Sequence, residues 1–431
     1  MLGRVEREPE LVDRIGILRP LRIRDFRLLW TGMTVSMVGD GIYLVAVAWQ
    51  AYEIWNEPSA LAAVGLAWSA PQIALLLFSG VLSDRLDRRH LMIAGDAIRF
   101  VAIGAVGLLS LAGELTLPRL VGIAVVYGAG QATFGPAFSS IVPTIVPDDL
   151  RVQANSLGQF VRPFTLALVG PVVGGFLVQW VGLGWAFLVD AGTFVFSAAM
   201  ILAMQVRTAA REEAEHASMA ADLAEGFRFV KRRRWLWACM VAATVSLLFT
   251  WGPWDVLLPY VVKNDLEGSA ASLGVVYGAG GLGAVVVALT MGQRGRLPRK
   301  PITVLYVAWA FGMLLVAGFG LVTELWQAMA VALVAEGSLT LLMVIWVTLI
   351  QRLVPSEMLG RVSSLDWLIS TAGVPLSFAL VGPAASAFGV DETLIGAGVL
   401  GAGLTMAFMY VRGARDPERD GTLARAAVTP A

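Results

Sequence analysis

Three ionisable side chains stand inside long apolar stretches: Asp40 in SMVGDGIYL, Arg162 in QFVRPF and Glu336 in VAEGS. A charge at the centre of a bilayer costs at least about 2.5–3.5 kcal/mol, so each needs a reason to be there. Asp40 lies about 18 Å into its stretch at 1.5 Å per residue, near the middle of a membrane. Arg162 enters its own stretch from the same side to a comparable depth and is the natural partner of Asp40. The pair reads either as a proton-coupling or substrate-binding site or as a static buried ion pair. Glu336 has no cation nearby in its own half. A carboxyl in that position can hold a proton and release it when access or ligand changes.

Other chemistries find no support in the residues. One cysteine (Cys239) and two histidines (His90 and His216) leave no disulfide framework and no Cys/His metal site. No nucleophile–base set is recognisable, so no enzymatic activity, metal or cofactor is expected. YGAGGLG, Tyr277 to Gly283, contains a formal G-x-G-x-x-G. It lies within an apolar stretch and lacks the acidic residue about 20 positions later that a dinucleotide fold requires.

The elements that must hold these residues are membrane helices. The 431-residue chain is 57% hydrophobic and 15% charged, against roughly 45–50% apolar and about 25% charged in soluble domains. Apolar runs near 28–50, 58–82, 90–112, 119–142, 155–180 and 183–204, then 235–262, 270–291, 301–322, 325–350, 361–388 and 391–412, predict twelve transmembrane helices. Residues 1–27 are arginine-rich without an apolar run, which predicts a cytoplasmic segment and no cleaved signal peptide. All Lys and Arg residues except Arg99, Arg119, Arg162 and Lys263 fall on the side that holds both termini. The positive-inside rule makes that side cytoplasmic. Zero net charge gives no sign of a nucleic-acid partner.

The helices repeat. PFTLALVGP, Pro163 to Pro171, aligns with PLSFALVGP, Pro375 to Pro383, and VPDDLRVQANSL upstream parallels VPSEMLGRVSSL. The chain therefore divides into bundles at 28–204 and 235–412, a charged cytoplasmic linker at 205–234 and a tail at 413–431. The shared Gly-Pro is expected to break the fifth and eleventh helices alike.

GVLSDRLDRRHLM, beginning at Gly80, reproduces the G-x-x-x-D-R-x-G-R-R loop of the major facilitator superfamily, with Asp87 where glycine is usual. LVGPVVGG, Leu168 to Gly175, matches the G-P-x-x-G-G element of its antiporter branches. Here the chain resembles that superfamily. LRIRDFRLLWTGMTVSMVGDGI, VPDDLRVQANSL and AEGFRFVKRRRWL narrow the resemblance to its twelve-span efflux branch, which includes macrolide, tetracycline-type multidrug and siderophore exporters. The resemblance implies an all-α integral membrane protein of two pseudo-symmetric six-helix bundles.

It also implies gating roles. Gly80, Asp84, Arg85, Arg88 and Arg89 would close the cytoplasmic side, Asp84 by capping a helix of the other half. Asp87 would take the left-handed turn of the missing glycine. Gly170, Pro171, Gly174 and Gly175 would let the fifth helix slide against the eighth, on Gly278, Gly280 and Gly281. The arginine usual in the fourth span of proton-coupled drug exporters has no counterpart; Gln131 stands in that region. Tyr43, Gln131, Phe134, Trp254 and Met343 are the candidates for an adaptable apolar pocket.

These readings converge on a monomeric exporter of amphipathic small molecules by proton antiport, in the cytoplasmic membrane. An exporter of one endogenous metabolite or siderophore shares every motif. A sensor with a transporter fold is a third reading.

Overall fold

The structure is a computed structural model that describes residues 16–85, 87–205, 219–294, 296–420 and 423. A 3₁₀ turn (Gly16–Arg22) leads into α1 (Arg24–Ile54), α2 (Pro58–Arg85), α3 (Arg88–Leu111), α4 (Leu117–Ile145), α5 (151–181) and α6 (Leu183–Leu202). Then come α7 (Met219–Arg232), α8 (Arg234–Asp265), α9 (Ala270–Arg294), α10 (Pro301–Leu321), α11 (Leu325–Leu353), α12 (356–388), α13 (Val390–Met409) and the short α14 (Asp416–Arg419). Ten of these, among the described residues, are long and apolar enough to cross a membrane. Helices α2 and α4, of 28 and 29 residues, complete the set of twelve. Helix is the form such runs must take, because hydrocarbon offers backbone N–H and C=O groups no other partner.

The main packing contacts of the first six long helices have counterparts in the last six. Helix α1 packs on α5 and α6, α2 on α4, α3 on α4 and α6, and α5 on α6; α8 packs on α12 and α13, α9 on α11, α10 on α11 and α13, and α12 on α13. The joints between the bundles are paired as well, α5 with α9 and α2 with α12. Glycines at φ 101° (Gly182) and φ 99° (Gly389) turn α5 into α6 and α12 into α13, a backbone region in which a side chain is strained.

The helix breaks fall at a different point from the Gly-Pro that the repeat suggests. In α5 a π-helical stretch, Pro163–Val169, precedes an α-helix that starts at Gly170. In α12 a turn at 372–373 precedes the helix Val374–Phe388, which carries Pro383 inside it. Each irregularity therefore sits at the first proline of the aligned nine residues, Pro163 or Pro375, where the missing N–H interrupts the ladder. The second Gly-Pro is absorbed within a continuous helix.

Two ends of the molecule can be distinguished. The end that carries the start of α1 and the end of α13, called the terminal face below, is tied by Asp25, which accepts from the Gln205 N–H at 3.2 Å. Glu418 of α14 accepts from the Ile302 and Thr303 N–H groups at 3.0 and 3.1 Å, placing a carboxylate at the α10 N-terminus, where the helix dipole favours it. At this face each bundle has its own core, around Phe26, Met92 and Ile141 in the first and Leu236, Tyr306 and Ile345 in the second. At the opposite face one core runs through both bundles, from Tyr52 and Ala60 to Val256, Leu273 and Phe378. The bundles are drawn together at the opposite face and parted into separate cores at the terminal face.

The segment expected to be a plain charged linker contains α7, of which residues 219–232 are described. Glu225 of α7 pairs with Arg361 of α12 at 2.9 Å, and Gly226 lies against Arg361 and Leu365, so the helix docks on the second bundle. Residues 1–15 and 206–218 lie outside the described residues.

Candidate functional site

Charge gathers at mid-depth in the first bundle. Arg99, twelfth of the 24 residues of α3, is 3% exposed, and Asp96 and Asp190 are fully buried. The Arg99 guanidinium hydrogen-bonds Asp96 one helical turn away, and its other amino group lies 3.8 Å from the Asp40 carboxylate of α1. Its faces are covered by aromatic rings, Phe134 of α4 at 4.9 Å and Phe194 of α6 at 4.4 Å, a contact worth about 2 kcal/mol when desolvated. Asp40 also accepts from the Tyr127 hydroxyl of α4 at 3.0 Å. The Tyr43 ring lies tilted against that of Tyr127, with centroids 4.7 Å apart, and meets the edge of Phe187 at 6.2 Å. Helices α1, α3, α4 and α6 thus converge on one arginine.

This corrects the pairing expected from sequence. The close cation of Asp40 is Arg99, and Arg162 is exposed, with no hydrogen bond or ion pair among the described residues. Arg162 remains near enough for its charge to be felt at Asp40. Arg99, Asp96, Asp190 and Tyr127 were not among the residues singled out from sequence, because they stand on three separate helices and position along each helix does not show that they meet. Counted from Arg88, Arg99 is at the centre of α3, and a charge there marks a site. Tyr43 and Phe134, two of the pocket candidates, pack on the cluster, and Phe134 also stacks on Phe138 at 6.4 Å.

Among the described residues, the second bundle gathers acids without a base beside them. Glu336, half-buried in α11, has its side chain against Gly280 of α9. Asp255 of α8 is close enough to feel its charge. The Tyr277 hydroxyl of α9 is electrostatically near both and is buried without a hydrogen-bond partner. Trp254 packs edge-on to Phe319 at 5.4 Å, within the core at the opposite face. Gln131 is partly buried with its amide oxygen unpartnered. Met343 is 47% exposed.

The glycines divide between two seams. A Cβ on Gly170 would stand 2.7 Å from Gly41 Cα, and one on Gly174 2.7 Å from Ile42 Cα, so both pack on α1 inside the first bundle. Gly175 meets Ala270 and Gly274 of α9, Gly274 meets the Pro171 carbonyl, and Gly281 meets the Ala167 backbone. Gly278 faces the Val172 side chain. The expected matching of Gly170 and Gly174 with Gly278, Gly280 and Gly281 is therefore wrong. The α5–α9 joint is built from Ala167, Pro171 and Gly175.

Polar contacts bridge the bundles at the opposite face. The Tyr52 hydroxyl of α1 donates to the Val256 carbonyl of α8 at 2.6 Å, within a π-helical turn that begins at Pro253. Asn56 donates to Asn264 at 2.6 Å, and Ser269 donates to Gln179 at 2.9 Å. The Lys263 ammonium lies 5.2 Å from the Trp49 ring. Phe378 of α12 meets Trp68 of α2 edge-on at 6.2 Å.

Gly80, Asp84 and Arg85 lie in the last turns of α2, and the side chains of Asp84 and Arg85 are outside what the structure describes. Asp87 does not adopt a left-handed turn. At φ −59° it is the N-cap of α3 and accepts from the Arg89 N–H at 2.9 Å, a cap worth about 1 kcal/mol. Arg89 donates to the carbonyls of Ile201 and Leu202 at 3.1 and 3.3 Å, joining the start of α3 to the end of α6. Arg88 opens α3 and is partly buried.

Known proteins resemble this chain along nearly all of its length. Residues 15–423 match the family described as transmembrane secretion effector. Macrolide efflux protein A of Streptococcus pyogenes is 21% identical over 377 residues, covering 87% of this chain and 93% of its own. Enterobactin exporter EntS of Citrobacter koseri is 28% identical, covering 83% and 84%, and multidrug efflux pump Tap of Mycolicibacterium fortuitum is 26% identical, covering 85% and 90%. Among solved structures, a bacterial homolog of the human lysosomal transporter Spinster, inward-facing and unoccupied, superposes with TM-score 0.68 at 14% identity, over 96% of this chain and all of its own. A POT family transporter superposes with TM-score 0.70 at 13% identity, over 90% and 95%. With paired bundles, mid-membrane charge and a family match from end to end, the chain belongs to the transmembrane secretion effector family, in the efflux branch of the major facilitator superfamily, and is a multi-pass membrane transporter.

Proposed function

We propose that the protein exports amphipathic, drug-like small molecules from the cytoplasm in exchange for protons, by alternating access across the cytoplasmic membrane. The terminal face is cytoplasmic in this reading, on the strength of its Lys and Arg excess. A single chain suffices, because both halves of the pathway come from one polypeptide. The linker at 205–234 joins the halves at the cytoplasmic side.

The observation that carries the reading is the ion cluster of Asp40, Arg99 and Asp96 held at mid-depth by α1, α3 and α4. Buried ion pairs are weak devices for stability, since desolvation offsets most of their attraction. Their use lies in changing charge when a proton or a cationic substrate arrives. Asp40, with 14% of its side chain accessible, is the member through which the cluster exchanges protons, and Arg162 helps to hold the resulting charge. Glu336 with Asp255 forms the corresponding acid site in the second bundle, and the Tyr277 hydroxyl is free to bond whichever carboxyl is ionised. Gln131 and Met343 remain the pocket candidates. Asp84, Arg85 and Arg88 are proposed to close the cytoplasmic side when the bundles rock the other way.

The test is transport into inverted vesicles of purified protein in lipid, with a panel of cationic dyes, macrolides, tetracyclines and siderophores. Imposed pH and voltage gradients are varied separately. Accumulation should collapse when the pH gradient is dissipated, and uptake indifferent to pH would overturn proton antiport. A second reading, export of one siderophore, draws on the 28% identity to the enterobactin exporter. Transport of a catecholate siderophore alone within the panel would favour it.

A further inference from the structure

Among the described residues, the first bundle buries more acid than base. Asp40, Asp96 and Asp190 surround one buried cation, Arg99, with Asp96 and Asp190 fully buried. Asp96 is hydrogen-bonded to that guanidinium, and Asp40 has both Arg99 and the Tyr127 hydroxyl. Asp190 of α6 has no such partner. The groups that face it are Asp40 and Tyr43 of α1, Arg99 of α3, Tyr127 of α4 and Thr193 of its own helix. Among these, Thr193 alone makes hydrogen-bond contact with the carboxyl.

The single hydrogen of that hydroxyl can serve only one of the two acceptors well, and the nearer one takes it. Thr193 Oγ1 donates to the Asp190 backbone carbonyl at 2.7 Å, and Asp190 Oδ1 stands 3.4 Å from the same Oγ1. What Oγ1 then turns toward the carboxyl is a lone pair. Two acceptors face each other unless the carboxyl itself supplies the hydrogen. Asp190 Oδ2 is buried with no donor among the described residues. An ionised carboxylate needs several donors when buried, and burying it without them is among the costliest events in a protein interior. Gly39 lets the carboxyl lie flat on the α1 backbone beside Asp40, since a Cβ there would come within 2.3 Å of Asp190 Oδ1.

We propose that Asp190 is the proton store of the first bundle: it holds a proton as a neutral acid, donating to Thr193 Oγ1, and gives it up by way of Asp40 when the bundles rearrange. In that step the Asp190 O–H bond breaks, an O–H bond forms on Asp40, and one negative charge moves from Asp40 to Asp190. This inference deepens the antiport reading and rests on it for the exchange, while the protonation rests on the local hydrogen bonding alone.

Infrared spectra of the full-length protein in lipid at neutral pH, with protons as the only ligand, test the assignment. A carbonyl band of a protonated carboxylic acid should be present in the wild type, absent in Asp190→Asn and retained in Glu336→Gln. Thr193→Val, which removes the acceptor, should keep the band and raise its frequency, so the test stands even if Asp190→Asn fails to fold. In vesicles, Asp190→Asn should reduce pH-driven accumulation at least tenfold while energy-independent exchange of the transported panel compound persists. A band that ignores both Asp190→Asn and Thr193→Val overturns the assignment and leaves proton antiport standing. Wild-type vesicles indifferent to pH overturn the antiport reading, and with it any exchange of this proton, whatever the band does.

Discussion

Arg99 and Arg162 are both arginines at the level of the membrane, yet they do different work. Arg99 is sealed between two rings and holds two carboxylates, so its removal strands buried charge. Arg99→Met should cost about 3–5 kcal/mol, read as a clear drop in the thermal unfolding midpoint of the detergent-solubilised protein. Arg162→Met, at an exposed position, should melt with the wild type and differ only in transport. Equal midpoints for the two would remove Arg99 from the centre of the cluster. Asp40 and Glu336 were legible in the sequence because a lone acid in an apolar run has no trivial explanation. The choice of Arg99 over Arg162 was not, because depth along separate helices does not say which faces meet. Nor was Asp190 legible: α6 leans on α1 at Gly39, and no pattern within α6 records that approach.

At the scale of elements, two glycine seams that look alike in sequence have separate duties. Gly41 and Gly170 join α1 to α5 inside one bundle, whereas Gly274 and Gly175 join α9 to α5 across the two. Gly41→Ala should therefore lower the unfolding midpoint by several degrees and leave the inter-bundle geometry alone. Gly274→Ala, whose methyl would come within 2.4 Å of the Pro171 carbonyl, should push α5 and α9 apart at the opposite face. Spin labels at positions 179 and 269 should then report a longer mean distance in Gly274→Ala and an unchanged one in Gly41→Ala. The repeat itself was legible, since PFTLALVGP and PLSFALVGP align residue for residue. Its mechanical meaning was not. Proline interrupts a helix only where its missing N–H goes uncompensated, and Pro383 is carried inside Val374–Phe388, so Pro163 and Pro375 take the role that Gly-Pro had been assigned.

For the whole molecule, the proposed alternating access makes the balance between faces depend on contacts such as the bond from Tyr52 to Val256. Tyr52→Phe removes the hydroxyl bonded to Val256 and keeps the ring that packs edge-on to Tyr260 at 5.6 Å. Losing one such bond, worth about 0.5–1.5 kcal/mol, should shift the population several-fold toward the form open at the opposite face. The same pair of labels should detect this as growth of the longer-distance component, and an unchanged distribution would show that the bond does not bias the equilibrium. Twelve helices and paired bundles could be read from hydropathy and repetition, because the bilayer leaves the backbone so little choice. Which face is shut could not, since both states must be compatible with one sequence.

The acceptor in that latch is a main-chain oxygen. Every amino acid placed at 256 would present the same atom, so the side chains of α8 are free to drift with the cargo while the clasp between the bundles stays in place. Recognition and closure can thus diverge independently along one rod, and a descendant of this chain could acquire a new passenger without relearning how to shut its door.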